Sequence, residues 1–218
     1  MSTPPQRFTL DTPLSLRSAF AFPLQHAKAR SEVLIGGLLL FIPVVGWILN
    51  MGHRINMVHR MQHGQAAWPA WENPTQLLKD GSITLLGMIE YHSPALLLAW
   101  IAWQQNIPGL YPVAAALWIL ATVAVPGYMS HYCLKRDPSE IFNPAKALRR
   151  VFQAGPGYWH AWVIALSGLL LSFVGLLGLG FGFFFSSVWF WQVAGYSFAT
   201  QFTQSFSLRE QNESVLPG

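Results

Sequence analysis

Three stretches of the chain carry no Asp, Glu, Lys or Arg: residues 33–53, 91–134 and 161–208. A membrane span takes about 20 residues, at about 1.5 Å each across a hydrocarbon core of about 30 Å. The second and third stretches, of 44 and 48 residues, therefore hold two helices apiece. Asn106, Pro108, Gly109 and Pro112 place a turn in QQNIPGLYP, giving helices over 82–104 and 111–133. The glycines of GLLGLGFG (175–182) break the third stretch into 159–178 and 181–203. The first stretch, of 21 residues, suits either one span or a short hairpin turning at Pro43 to Gly46.

Charge chooses between those two. All 13 Lys and Arg residues lie in 7–30, 54–79, 135–150 or at 209, outside every turn just named. A hairpin puts all of them on one face of the membrane; a single span sends Arg7, Arg17, Lys28 and Arg30 to the other. The hairpin is the simpler solution. The pattern thus predicts an all-α, polytopic integral membrane protein of three helical hairpins in a single domain, 1–218. It comprises an N-terminal segment (1–30), a short or re-entrant first hairpin (31–62), two full hairpins (82–133 and 158–203) making four complete spans, and a polar tail (204–218). The positive-inside rule then puts both termini and both basic linkers on the cytoplasmic side, in the cytoplasmic (inner) membrane of a prokaryote.

The linkers echo one another. WENPTQLLKDG (71–81) and IFNPAKALRRVFQAG (141–155) each offer an Asn N-cap (Asn73, Asn143), a Pro at the first helical position (Pro74, Pro144) and an exit glycine (Gly81, Gly155). Both read as short interfacial helices. In the second, Lys146, Arg149 and Arg150 recur at i, i+3, i+4 beside an apolar stripe of Leu148, Val151 and Phe152, a pattern suited to anionic lipid headgroups. A faint threefold repeat runs through the hairpins as well: each ends in Gly and a ring, at Gly52–His53, Gly127–Tyr128 and Gly195–Tyr196. Glycine there permits close approach of helices, with a polar ring at the interface.

Composition agrees: 52% of residues are hydrophobic and 10% charged, against about 25% charged in soluble domains. The single cysteine, Cys133, excludes an intramolecular disulfide and any Cys-rich metal framework and reads as a packing thiol. The N-terminus has no continuous apolar core and so is expected in the mature protein. The net charge of +4 fits anionic lipid, with no patterning for nucleic acid.

The run from Phe20 to Gly81 and the following GMIEYHSPALLL resemble the domain of unknown function family 4013, multi-pass membrane proteins of bacteria and archaea. The resemblance rests on Phe22–Pro23, on Gly36–Gly37 with three leucines and Pro43, on Gly52 before a basic run, on Gly64 with Trp68-Pro69-x-Trp71, and on Tyr91 and Pro94. It implies an integral helical membrane domain and no known activity. Glu90 and His92 depart from the apolar residues expected around that Tyr and Pro.

Glu90 is the chemical anomaly of the second hairpin. Pairing about residues 107–108 sets it level with Val125, and His92 with Val123. Pro94 and Pro126 free the carbonyls of Glu90 and Thr122, so one layer gathers Glu90, His92, Ser93, Pro94, Thr122 and Pro126 as an intramembrane polar site. With no cation at that depth, Glu90 is expected buried and neutral near Thr122, either as a structural group or as a proton, cation or polar-ligand site. His92 and His131 are too far apart along the axis to share one haem, and His59 and His63, though at i, i+4, have no carboxylate to complete a metal site. No metal, cofactor or catalytic nucleophile is expected. Most tryptophans (Trp47, Trp68, Trp71, Trp103, Trp159, Trp162) read as an aromatic belt where spans meet water. The dense FGFFFSSVWFWQVAGY (181–196) suits a membrane-protein partner's helices or pigments as well as lipid. The expectation is a non-catalytic accessory, scaffold or assembly subunit of a membrane complex; the alternative is a small transporter or channel centred on Glu90.

Overall fold

The computed structural model describes residues 8–208, and within them the chain is helical without strands. A short α1 (Leu16–Ala21) and a single 3-10 turn lead into α2 (Ala27–Leu39), which begins where the His26 ring accepts from the backbone N–H of Ala29. The chain then breaks at 40–44 and re-enters as α3 (Val45–Gln62). The contacts nest about one centre: Gly46 lies against the Leu39 carbonyl, Asn50 Nδ2 donates to Gly36 O at 3.1 Å, and His53 meets Glu32 at 2.9 Å. Such nesting is an antiparallel hairpin turning at residues 42–43, one of the two solutions open to the sequence.

The second hairpin is α4 (Pro74–Gln104) and α5 (Tyr111–Lys135), followed by the short α6 (Pro144–Gln153). The third is α7 (Pro156–Ser172), a 3-10 turn, and α8 (Gly182–Phe206). By length and composition, three helical stretches are apolar enough to cross a membrane: 74–104, 108–135 and 156–177.

Two predicted boundaries require correction. The helix expected over 71–81 does not stand alone; it forms the first turns of α4. Gly81 is no exit but a close approach, where an added Cβ would stand 1.9 Å from the Ile48 carbonyl oxygen. The tail expected from 204 begins later, because α8 runs to Phe206; residues 209–218 lie outside the described residues, as do 1–7 of the N-terminal segment.

The second helices of the three hairpins, α3, α5 and α8, touch one another at the centre. Around them α2 packs on α3 and α8, α4 on α3 and α5, and α7 on α8, with the Tyr158 hydroxyl donating to Val123 O of α5. Two glycines of the threefold repeat instead bring the neighbouring helices α4 and α6 close. A Cβ at Gly52 would lie 1.9 Å from Leu77 O, and one at Gly127 would lie 2.4 Å from Ala147 O. Leu77 and Ala147 each stand four residues after the N-cap asparagine, Asn73 or Asn143, so the two contacts are equivalent. Gly195 receives the stem of Arg54 instead. The rings beside these glycines are buried, not interfacial: His53 stacks on Trp71, and Tyr196 stacks on Phe22 at 4.3 Å.

The aromatic run 181–196 also turns inward. Phe184 meets Phe41, Phe183 meets Phe173, Trp189 meets Phe20, and Phe185 covers Gly37, while Phe181 and Trp191 are the exposed large side chains of the run. These contacts pack the run on the first hairpin (Phe41, Gly37), on α1 (Phe20) and on its own hairpin (Phe173). Trp68 likewise leaves the belt, being 6% exposed against Phe22.

Candidate functional site

The polar residues expected to share one layer divide between two faces. The second hairpin's register lies one residue from the expected pairing: His92 Nε2 meets the Thr122 hydroxyl at 3.2 Å. The ring is held by Nδ1 donating to Met88 O at 2.8 Å and by the edge of Trp118 at 4.5 Å. The carbonyl of Glu90 freed by Pro94 accepts from the Ser93 hydroxyl at 2.9 Å, and Pro126 is buried in α5. Glu90 itself is exposed, against expectation, with no hydrogen bond or ion pair to its carboxylate among the described residues. The reason is azimuth. Two residues turn a helix by about 200° at 3.6 residues per turn, so Glu90 and His92 cannot both face α5.

Among the described residues two carboxylates are buried, Glu32 and Asp80. Glu32 Oε2 pairs with His53 Nε2 at 2.9 Å and accepts from the Ala70 N–H at 3.1 Å. The Trp68-Pro69-x-Trp71 segment closes over this pair: Trp71 stacks on the His53 ring at 4.1 Å and donates to Glu32 O. Asp80 Oδ1 accepts from Tyr132 at 2.8 Å and from Gln76 at 2.9 Å, and its Oδ2 faces Arg136 Nε at 3.3 Å. Arg136 donates onward to Asn56 Oδ1, and Asn56 to Ala70 O, so one polar chain ties the first hairpin, the linker and the second hairpin at the basic end.

In the second linker, Glu140 receives both Lys146 at 2.7 Å and Arg150 at 2.6 Å. Burial alone would raise the Glu140 carboxyl pKa; the hydrogen bonds from Arg150 and Lys146 outweigh it and hold the group below the usual range. The expectation that Lys146, Arg149 and Arg150 act alike on lipid is therefore corrected. Arg150 is buried and neutralised, Lys146 is half-exposed and paired, and Arg149 alone is exposed and makes no ion pair with any described residue.

Arg54 is the residue that charge counting misplaced. Grouped by sequence with the basic linker, it lies eight residues, about 12 Å, inside α3 from Gln62. It is buried, forms no ion pair with any described residue, and rests its guanidinium over the Trp191 ring at 4.8 Å. The signal available in the sequence was helical: α3 has no break before Gln62, so Arg54 had to be carried into the bundle with His53. The His59 and His63 rings lie 4.0 Å apart, tilted by 45°, and a ring nitrogen of each donates to a backbone carbonyl.

These features define the class: an all-helical protein with three helices long and apolar enough to span a membrane, its buried ionic pairs gathered at the basic end. The model for the family described as Protein of unknown function (DUF4013) matches residues 35–183, more than half of the chain, and the chain belongs to that family. Among curated proteins and among solved structures nothing matches it.

Proposed function

We propose that the protein is a non-catalytic, multi-pass subunit of the prokaryotic cytoplasmic membrane that assembles with a partner helix, with four full spans and with α6 lying at the interface. The observation that carries this reading is the distal half of the second hairpin. Every residue from 111 to 120 except Ala114 is exposed, and Ala102 is the single buried residue of 96–104. Each helix there has the other as its neighbour and leaves its remaining faces bare, including Trp100, Trp103, Trp118 and Ile119. Small residues hold the pair together, as expected where lipid supplies no hydrophobic drive.

The transporter alternative loses its central support, since Glu90 points out of the bundle, and Glu32 and Asp80 are tied to partners at one end. A photo-crosslinking residue at Trp103 or Ile119 in native membranes tests the proposal. Adducts to the same membrane protein from both positions support it, and adducts to lipid alone overturn it. Reconstituted vesicles with a proton gradient check the alternative, which would require a leak sensitive to Glu90→Gln.

A further inference from the structure

Two clefts meet at Arg54. One, of about 440 Å³, runs between the first and third hairpins past Leu40, Asn50, Phe184 and Ser187. The other, of about 400 Å³, runs toward α5 and α7 past Thr122, Trp162 and Leu166. Both fall in the range of about 300–1,000 Å³ usual for small-molecule sites. Their walls are largely apolar, and two buried polar side chains of the first cleft lack partners. Arg54 is 9% exposed, and its Nε–H has no partner; Gln192 is 2% exposed, and neither its amide oxygen nor its nitrogen has one.

A buried cation without a counter-ion is costly, and a buried amide left unpaired adds to the cost. The Trp191 ring satisfies one face of the guanidinium by cation–π attraction. It leaves the donor edge unused, and that edge is shaped for a carboxylate. Arg54 is also enclosed, only 9% exposed, and stands alone. A bulky phosphodiester headgroup would have to be forced into that enclosure. A carboxylate at the end of a hydrocarbon chain is small enough, carries one charge for one cation, and leaves the rest of the molecule to the apolar walls.

We infer that the first cleft binds a long-chain carboxylic acid, its carboxylate on Arg54 and the Gln192 amide N–H and its chain along Leu40, Phe184 and Ser187. This goes beyond the assembly reading and shares with it only the membrane placement. The test is equilibrium binding of radiolabelled palmitate to the full chain in a non-ionic detergent, with palmitate, methyl palmitate and dioleoyl phosphatidic acid as competitors. Palmitate is expected to compete at least tenfold better than either. Arg54→Gln should abolish the preference for acid over ester. Ser187→Phe, filling the first cleft, should abolish binding, while Leu166→Trp in the second cleft should leave it within twofold. Equal competition by acid and ester, stronger competition by phosphatidic acid, or unchanged binding in Ser187→Phe would each overturn the proposal. Should Arg54→Gln fail to fold, the acid-to-ester ratio of the unmodified chain and the two cleft variants decide it.

Discussion

Glu32 and His53 face each other with 1% and 2% of their side chains exposed, and the Ala70 N–H depends on the same carboxylate oxygen. Removing one partner of such a buried pair leaves the other stranded, at a cost of about 3–5 kcal/mol. Glu32→Ala should therefore destabilise the protein by that amount, while Glu32→Gln, which can still hydrogen-bond, should cost less. The buried native thiol of Cys133 makes a reporter, since its reaction with a maleimide dye on heating follows unfolding. Val44 behaves oppositely. This β-branched residue sits at φ +64° in the turn of the first hairpin and is 56% exposed. With ψ −63° and Val45 N–H donating to Pro43 O it centres a γ-turn, a strained conformation that costs an L-residue about 1–3 kcal/mol and glycine almost nothing. Val44→Gly should raise the melting temperature in the same assay, and a fall would show that the side chain's packing outweighs its backbone strain.

At the scale of the element, glycine sets the spacing and one carboxylate sets the docking of α6. Gly52→Ala and Gly127→Ala push a methyl group onto the carbonyls of Leu77 and Ala147, and overpacking of this kind costs about 1–3 kcal/mol. Gly109, which has no neighbour within 4 Å of an added Cβ, is the control; Gly109→Ala should stay within about 0.5 kcal/mol. Glu140 gives a pH dependence of known sign. Its folded pKa lies below the ordinary 4.5, so the clamp on Lys146 and Arg150 contributes fully above that value and is lost as pH falls through the lower folded value. Protection factors of the α6 amides, taken relative to the intrinsic exchange rate at each pH, should thus be flat from pH 7 to 5 and fall only below about 4.5, and Glu140→Gln should remove that acid limb. The sequence made these elements legible through charge-free length and turn chemistry, and it placed His92 within one residue of its partner. It did not show azimuth: Glu90 and His92 look like neighbours on paper and stand on opposite faces of α4. Nor did it show that a charge such as Arg54 or Asp80, next to others in the chain, departs from them inside a helix.

For the molecule as a whole, the one-sided distribution of Lys and Arg predicts that cysteines at Asn106 and Leu177 label from outside the cell, while those at Gln65 and Ser139 do not. External labelling at Gln65 would invert the first hairpin's orientation relative to the others. The threefold plan, read faintly from Gly-ring pairs, becomes physical in three dimensions because each hairpin's second helix joins the central trio. The same plan has a covering segment for every hairpin. The linker with Trp68 and Trp71 covers the first, and α6 covers the second. The third is covered by residues 9–22: Phe22 lies on Tyr196, whose hydroxyl donates to Thr9 O, and Gln204 donates to Leu10 O. The segment before the first hairpin therefore waits for a helix made more than 150 residues later. Until α8 has been inserted, Phe22 has Trp68 but not Tyr196 to lie on, and the trio of second helices lacks its third member.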